Sequence, residues 1–214
     1  MKDCSPSVAP VVKGDKFNLN QCPNNDFERE QMHNIPYAST IESLMYAQVC
    51  TRPDIAFVVG MLGQYQSNPG IDHWKAAKKM MRYLQGTKNY MLMNRQTDNM
   101  EVISYSDSDF AGCVDSRKST SGYVFIMAGR AVSWRSVKQS LTATSTMEAE
   151  FVSCFEATSH GVWLKSFIAG LKIMDSISKP LRIYCDNSTA IFMAKNNKSG
   201  SRSKHIDIKY LAIR

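Results

Sequence analysis

YSDSDFAGCVDSRKSTSGYVF, residues 105–125, sets two carboxylates, Asp107 and Asp109, at the end of an alternating run and follows them with a short loop rich in basic and hydroxyl side chains. The alternation resumes beyond the loop, so the stretch reads as strand, loop, strand. Acid at a strand end, beside a loop suited to an anion, calls for something that holds both.

Working outward, period-two patterning continues downstream. EVISYSD (101–107), SGYVFIMA (121–128) and AVSWRSVKQSLTATS (131–145) read as three consecutive strands, the last two joined by a tight turn around Gly129. Ser145-Thr146-Met147-Glu148 has the capping-box form, which starts a long helix at Ser145 with Phe151, Phe155 and Val162 on its apolar face. LRIYCD (181–186) reads as a fourth, buried strand, NSTAIFMAKN as a short helix, and SKHIDIKYLAIR as the start of a last one. This half of the chain is therefore α/β, in the order βββαβα.

Upstream the pattern is helical. YASTIESLMYAQVC (37–50) is one helix; a second starts at Pro53 and ends at Pro69-Gly70; the third, DHWKAAKKMMRYLQG, takes Asp72 as N-cap and Gly86 just past its end. In the third, Trp74, Ala77, Met81 and Leu84 form the packing side, while Lys75, Lys78, Lys79 and Arg82 populate the other. That cationic side is either a solvated surface or a phosphate-tracking stripe. Residues 1–35, rich in Pro, Asn and Asp, read as an irregular arm. The organisation is thus an arm (1–35), a helical segment (36–100) and an α/β domain (101–214).

The bulk properties narrow the function classes. A net charge of +7 over 214 residues suits a polyanionic partner. The six cysteines are scattered, without Cys-x-x-Cys or a histidine at zinc-ligand spacing, which favours reduced thiols in the cytoplasm or nucleus. Pro6, Pro10 and Lys13 interrupt any apolar signal core, and no run of about 18 apolar residues offers a membrane span.

If the first and fourth strands are neighbours, Asp107, Asp186 and the glutamates of the long helix's first turn meet at one sheet edge. Clustered carboxylates repel unless a cation joins them. Oxygen donors favour magnesium or manganese, and a pair of such ions about 3.5–4 Å apart suits phosphodiester cleavage. The capping box engages Glu148 with the helix end and leaves Glu150 as the ligand, with Glu148 in reserve.

The stretch 105–125, together with AVSWRSVKQSLTATSTMEAEF, YCDNSTAIFMAKN and SRSKHIDIKY, resembles the RNase H domain of copia-type retrotransposon Pol polyproteins. The upstream segment IPYASTIESLMYAQVCTRPDIAFVVGMLGQYQSNPGIDHWKAAKKMMRYLQGT resembles the region between reverse transcriptase and RNase H in the same polyproteins. The resemblance implies an RNase H-like mixed sheet preceded by a small helical segment. It further implies cleavage of RNA in RNA–DNA hybrids with two magnesium or manganese ions, and Asp107, Glu150 and Asp186 as the first three catalytic acids. The loop residues Arg117, Lys118, Ser119, Thr120 and Ser121 would then meet the phosphates, unless they form a plain exposed turn. Asp109 stays an unassigned neighbour.

Two departures shape the expectation. No Asp-Asp pair exists in the sequence, so reverse transcription is not expected. The family's fifth strand and the helix bearing its fourth catalytic aspartate would follow the KHIDIKY helix, beyond Arg214, which makes the two-metal site incomplete and activity weak or absent. His205 and Asp207 fit a polar contact or helix cap better than that missing ligand. The same motifs occur in proteins described as secreted RxLR-type effectors of plant-pathogenic oomycetes, which implies a non-catalytic alternative acting on a host partner. Arg82-Tyr83-Leu84-Gln85 is the nearest approach to that motif.

Overall fold

The computed structural model describes residues 4–12, 14–92, 101–171 and 180–195. The expected last helix, with His205 and Asp207, lies outside the described residues. The chain divides into two compact units, Met1–Leu92 with Cys113–Ser116, and Met93–Gly112 with Arg117–Arg214.

The first unit is helical and begins earlier than its composition suggests. The stretch expected to be irregular contains a 3-10 turn, Leu19–Gln21, and a helix α1, Asp26–His33. Asn25 starts α1 by accepting the Glu28 N–H at 2.9 Å, while the Glu28 carboxylate accepts the Asn24 N–H at 2.8 Å. The asparagines that read as loop formers are N-caps, because a short amide side chain serves both uses.

Helices α2 (Tyr37–Cys50), α3 (Ala56–Gly63) and α4 (Ile71–Gly86) enclose a core of Tyr37, Ile41, Ile55, Val59, Leu62 and Met80. The second helix stops at Gly63, before the expected Pro69-Gly70. Gly70, not Asp72, caps α4: the His73 Nδ1 accepts the Gly70 N–H at 2.9 Å, and Asp72 falls within the first turn. The buried stripe is His73, Ala77, Met80 and Tyr83, with Trp74 and Leu84 half-buried beside it. The packing side is therefore rotated from the expected one. Tyr65 stacks on the His73 ring at 4.1 Å, and that contact decides which side faces inward.

The second unit is an α/β layer. Its four-stranded sheet has the order β3-β2-β1-β4, with β1 at Val102–Ser108, β2 at Thr120–Met127, β3 at Arg130–Lys138 and β4 at Arg182–Tyr184. The first three strands form an antiparallel meander, and β4 joins β1 in parallel, so the sheet is mixed. Ala128 (φ 54°) and Gly129 (φ 78°) both take the left-handed conformation a two-residue hairpin needs.

Helix α5, Thr146–Gly170, crosses the sheet and buries Val152, Ala157, Leu164 and Ile168. Val162, expected on this face, is 61% exposed, whereas Phe155 is half-buried against Phe151 and Val152. Gly161 sits where Phe125 and Leu181 press on the helix, so close that any side chain there would displace them. The described part of β4 is less covered than expected, with Arg182 and Tyr184 exposed. A short helix α6, Ser188–Lys195, follows.

Candidate metal centre

The parallel register fixes the site. Tyr105 of β1 pairs with Tyr184 of β4, so Asp107 and Asp186 each lie two residues beyond the same paired position. Parallel strands present the same chain direction, hence both carboxylates emerge at one end of the sheet.

Helix α5 brings the third. The Ser153 hydroxyl donates to the Asp107 carbonyl at 2.8 Å and lies 2.9 Å from the Ser106 hydroxyl, which ties the helix to the end of β1. Glu150, one turn earlier, is 3% exposed, and its Oε1 accepts the Ser108 N–H at 3.2 Å. Burial, together with the neighbouring charges of Asp107 and Asp186, pushes the Glu150 carboxyl up to about 7. The charges that shift it are both negative, which is the electrostatic demand a bound cation meets.

Glu148 does what the capping reading assigned. The Ser145 hydroxyl accepts the Glu148 N–H at 3.3 Å, and the Glu148 carboxylate accepts the N–H and hydroxyl of Thr144, each at 2.8 Å. Its return bond goes to Thr144, one residue before the cap. Glu148 is committed to the helix start.

Sequence reasoning missed three supporting residues. Cys185 brings its sulfur to 3.8 Å from Glu150 Oε2, and donor atoms of Glu150, Cys185 and Asp186 all lie within 4.8 Å of one another. Cys154 lies one turn beyond Glu150 on α5, beside Cys185, and burial raises its thiol. Gln139 is 1% exposed and donates to the Ser121 hydroxyl at 3.0 Å and the Ala149 carbonyl at 2.9 Å, pinning the end of β3 to the start of α5. Only the position of Cys185, directly before Asp186, hinted at its place; the others depend on the three-dimensional pairing.

No family model matches the chain. Individual proteins do. The chain is 41% identical over 214 residues to the "Retrovirus-related Pol polyprotein from transposon TNT 1-94" of Nicotiana tabacum, covering 100% of this chain and 16% of that protein. It is 37% identical over 178 residues to the Pol polyprotein from transposon RE2 of Arabidopsis thaliana, 83% of this chain and 12% of that one. The chain belongs to the copia-type retrotransposon Pol family. It thus spans a small part of the polyproteins it matches. It is also 47% identical over 133 residues to "Secreted RxLR effector protein 161" of Plasmopara viticola, 62% of this chain and 94% of that protein.

The remaining acid of the opening motif has a structural job in this Pol chain. Asp109 is half-buried, its Oδ1 accepts the Thr120 N–H at 2.6 Å, and its carboxylate also accepts the Gly112 N–H. Burial raises its carboxyl, against the lowering by those N–H donors. It clasps the β1–β2 connection shut at its base.

The basic surfaces are less open than their composition suggests. Ser119 and Ser121 are fully buried: Ser119 Oγ accepts the Ala111 N–H at 3.0 Å, and Ser121 accepts from Gln139. Thr120 pairs with Asp109, and Lys118 donates to the Ser140 carbonyl at 2.6 Å. These residues hold the loop from within, a correction to the reading of all five as phosphate contacts; Arg117 is exposed, with φ 56°. On α4, Lys75 pairs with Asp72 at 2.8 Å and Lys79 with Asp15 at 2.7 Å. Lys78 is exposed, its ammonium 5.8 Å from the Trp74 ring centroid, and Arg82 is half-buried. Among the described residues no helix is long and apolar enough to cross a membrane.

Proposed function

We propose that the second unit carries an RNase H-like fold that hydrolyses the RNA strand of RNA–DNA hybrids, with magnesium or manganese held by Asp107, Glu150 and Asp186. The observation that carries this reading is the shared register of Asp107 and Asp186, with buried Glu150 brought to the same sheet end by α5.

Each residue has a distinct part. Ser108 N–H and the α5–β1 serine contacts orient Glu150, so little side-chain freedom is lost on binding a cation. Asp107 and Asp186 are exposed and offer their carboxylates on the side from which a phosphodiester arrives. Paired divalent ions, when bound, polarise the attacking water and stabilise the leaving oxygen. Arg117, exposed on the loop of this unit, meets backbone phosphates, in the cytoplasm or nucleus.

The described residues supply three carboxylates to that centre. A further carboxylate on the second of two ions would be worth on the order of a hundredfold or more in rate. The test compares hybrid cleavage by the chain, by Asp186→Asn, and by a version extended with a family-like final strand and aspartate-bearing helix. Magnesium-dependent cleavage by the extended protein, abolished by Asp186→Asn, supports the reading. A folded extended protein that leaves hybrids intact rejects it.

A second reading rests on the 94% coverage of the Plasmopara viticola effector. In it the same fold serves as a non-catalytic binding module acting on a host protein. Host-cell activity that survives Asp186→Asn favours this alternative.

A further inference from the structure

Helix α5 packs on the sheet through Ala157, Leu164 and Ile168, which are buried. At about 100° per residue, the side turned farthest from them is centred on Ser166, with Ser159, Val162, Trp163, Ala169 and Gly170 within about 60° of that centre. All six are exposed, Val162 at 61% and Trp163 at 56%. Phe167 and Leu171 beside them are exposed too, and the Trp163 and Phe167 rings stack with centroids 5.4 Å apart. Lys165 is the single Lys, Arg, Asp or Glu between Ser159 and Leu171, and it lies about 100° from the centre. A surface helix ordinarily turns charge to water, whereas a helix apolar all round is covered all round.

Two features of this face say what covers it. It carries no charge within the exposed stripe, so it offers nothing to a polyanion, although the chain as a whole is +7. Its large and small residues also match one another. If two copies of α5 are laid antiparallel about a two-fold axis at Ser166, Val162 of each copy faces Gly170 of the other, and Trp163 faces Ala169. A Cβ added at Gly170 would meet nothing within 4 Å, so that position is open to a bulky neighbour. Small residues at the crossing allow the helix axes to approach to about 8 Å.

We infer that the outer face of α5 is a self-association surface, joining two copies of the chain as an antiparallel, two-fold dimer. With about 150–250 Å² per aromatic side chain and half of each exposed, the face offers roughly 500 Å² per copy and about 1,000 Å² for the pair, the lower limit of a specific interface. The dimer is therefore weak and forms at micromolar concentration. Two copies of like net charge repel, so added salt strengthens it, the reverse of nucleic-acid binding. The carboxylates take no part, and the inference stands apart from the cleavage reading.

Sedimentation velocity of the reduced, full chain from about 5 to 200 µM, a range suited to a small interface, should show a monomer–dimer shift that grows with salt. Ser166→Arg sets two like charges against each other at the axis and should weaken association at least tenfold, while Ser166→Ala should leave it within about twofold. Under mild oxidation S166C should give a covalent dimer whose mapped disulfide joins position 166 to itself. Should Ser166→Arg misfold, that mapping decides. A monomer across the whole range would overturn the proposal, as would a dimer that persists in folded Ser166→Arg or one in which S166C does not link to itself. Quenching of wild-type fluorescence by a short oligothymidylate, absent in Trp163→Phe, would assign the face to nucleic-acid bases instead and equally overturn it.

Discussion

Glu150 Oε1 accepts the backbone N–H of Ser108 at 3.2 Å, joining the N-terminal part of α5 to the last residue of β1. The bond sets a buried carboxylate directly after Asp107 in space, although 43 residues of chain separate the two acids (150 − 107). The N–H stabilises the ionised form, but burial and two neighbouring carboxylates outweigh it. The metal-free site is therefore held together against its own repulsion.

Relieving that repulsion should stabilise the metal-free protein. Glu150→Gln removes the buried member while keeping its shape and an acceptor for Ser108. At pH 8 without metal we expect its Tm to rise by a few degrees, in line with about 1–2 kcal/mol. Added manganese should stabilise the wild type more than the variant. A lower metal-free Tm for the variant would mean that the carboxylate contributes more through its hydrogen bond and packing than it costs through repulsion.

Asp109 should behave as a structural residue. Asp109→Ala removes the acceptor for the Thr120 and Gly112 N–H groups and should cost roughly 1–3 kcal/mol in chemical denaturation. Manganese affinity of the folded variant should stay within about twofold. A tenfold loss would place Asp109 among the ligands.

The helical unit should weaken in acid. Burial holds the His73 imidazole below its usual range, outweighing the opposing charges of Asp72 and Asp115. A histidine with a depressed folded value contributes stability that is present above its unfolded value of about 6.5 and lost as pH falls through it and the folded value. Denaturation between pH 7.5 and pH 5 should show a larger loss for the wild type than for His73→Gln. Parallel curves would mean that His73 does not set the acid sensitivity.

The salt dependence of nucleic-acid binding should be shallower than four free cations would give. With Lys75 and Lys79 already paired to Asp72 and Asp15, replacing all four basic residues of α4 by alanine should lower the slope by about one to two. A drop near four would mean that both pairs open on binding, and no change would make the face a solvated surface.

The meander and α5 were legible because their determinants are local: period-two alternation, the turn glycine Gly129, and the Ser145 cap; that Ala128, read as the end of a strand, also takes the left-handed conformation was not. The β1–β4 pairing was legible only through its chemistry, since separated acids have reason to meet. Other features turned on information that local patterning lacks. Ser119, Ser121, Tyr123 and Phe125 are all buried at spacing two, so the two serines continue the inward face of β2, yet polarity alone marked them as surface. The rotation of α4 follows from the Tyr65–His73 stack, and α1 was hidden because asparagine serves loops and caps alike. The place of Cys154 beside Cys185 depends on α5 crossing the end of β4, which no spacing in the sequence encodes.

The central claim is that Asp107, Glu150 and Asp186 act as one cation-binding unit. Its most direct measurement is manganese binding by electron paramagnetic resonance to the full chain and to Asp107→Asn, Glu150→Gln and Asp186→Asn, each confirmed as folded by circular dichroism. The account predicts saturable binding to the wild type and at least a tenfold loss of affinity in every variant. Unchanged affinity in all three folded variants would contradict it.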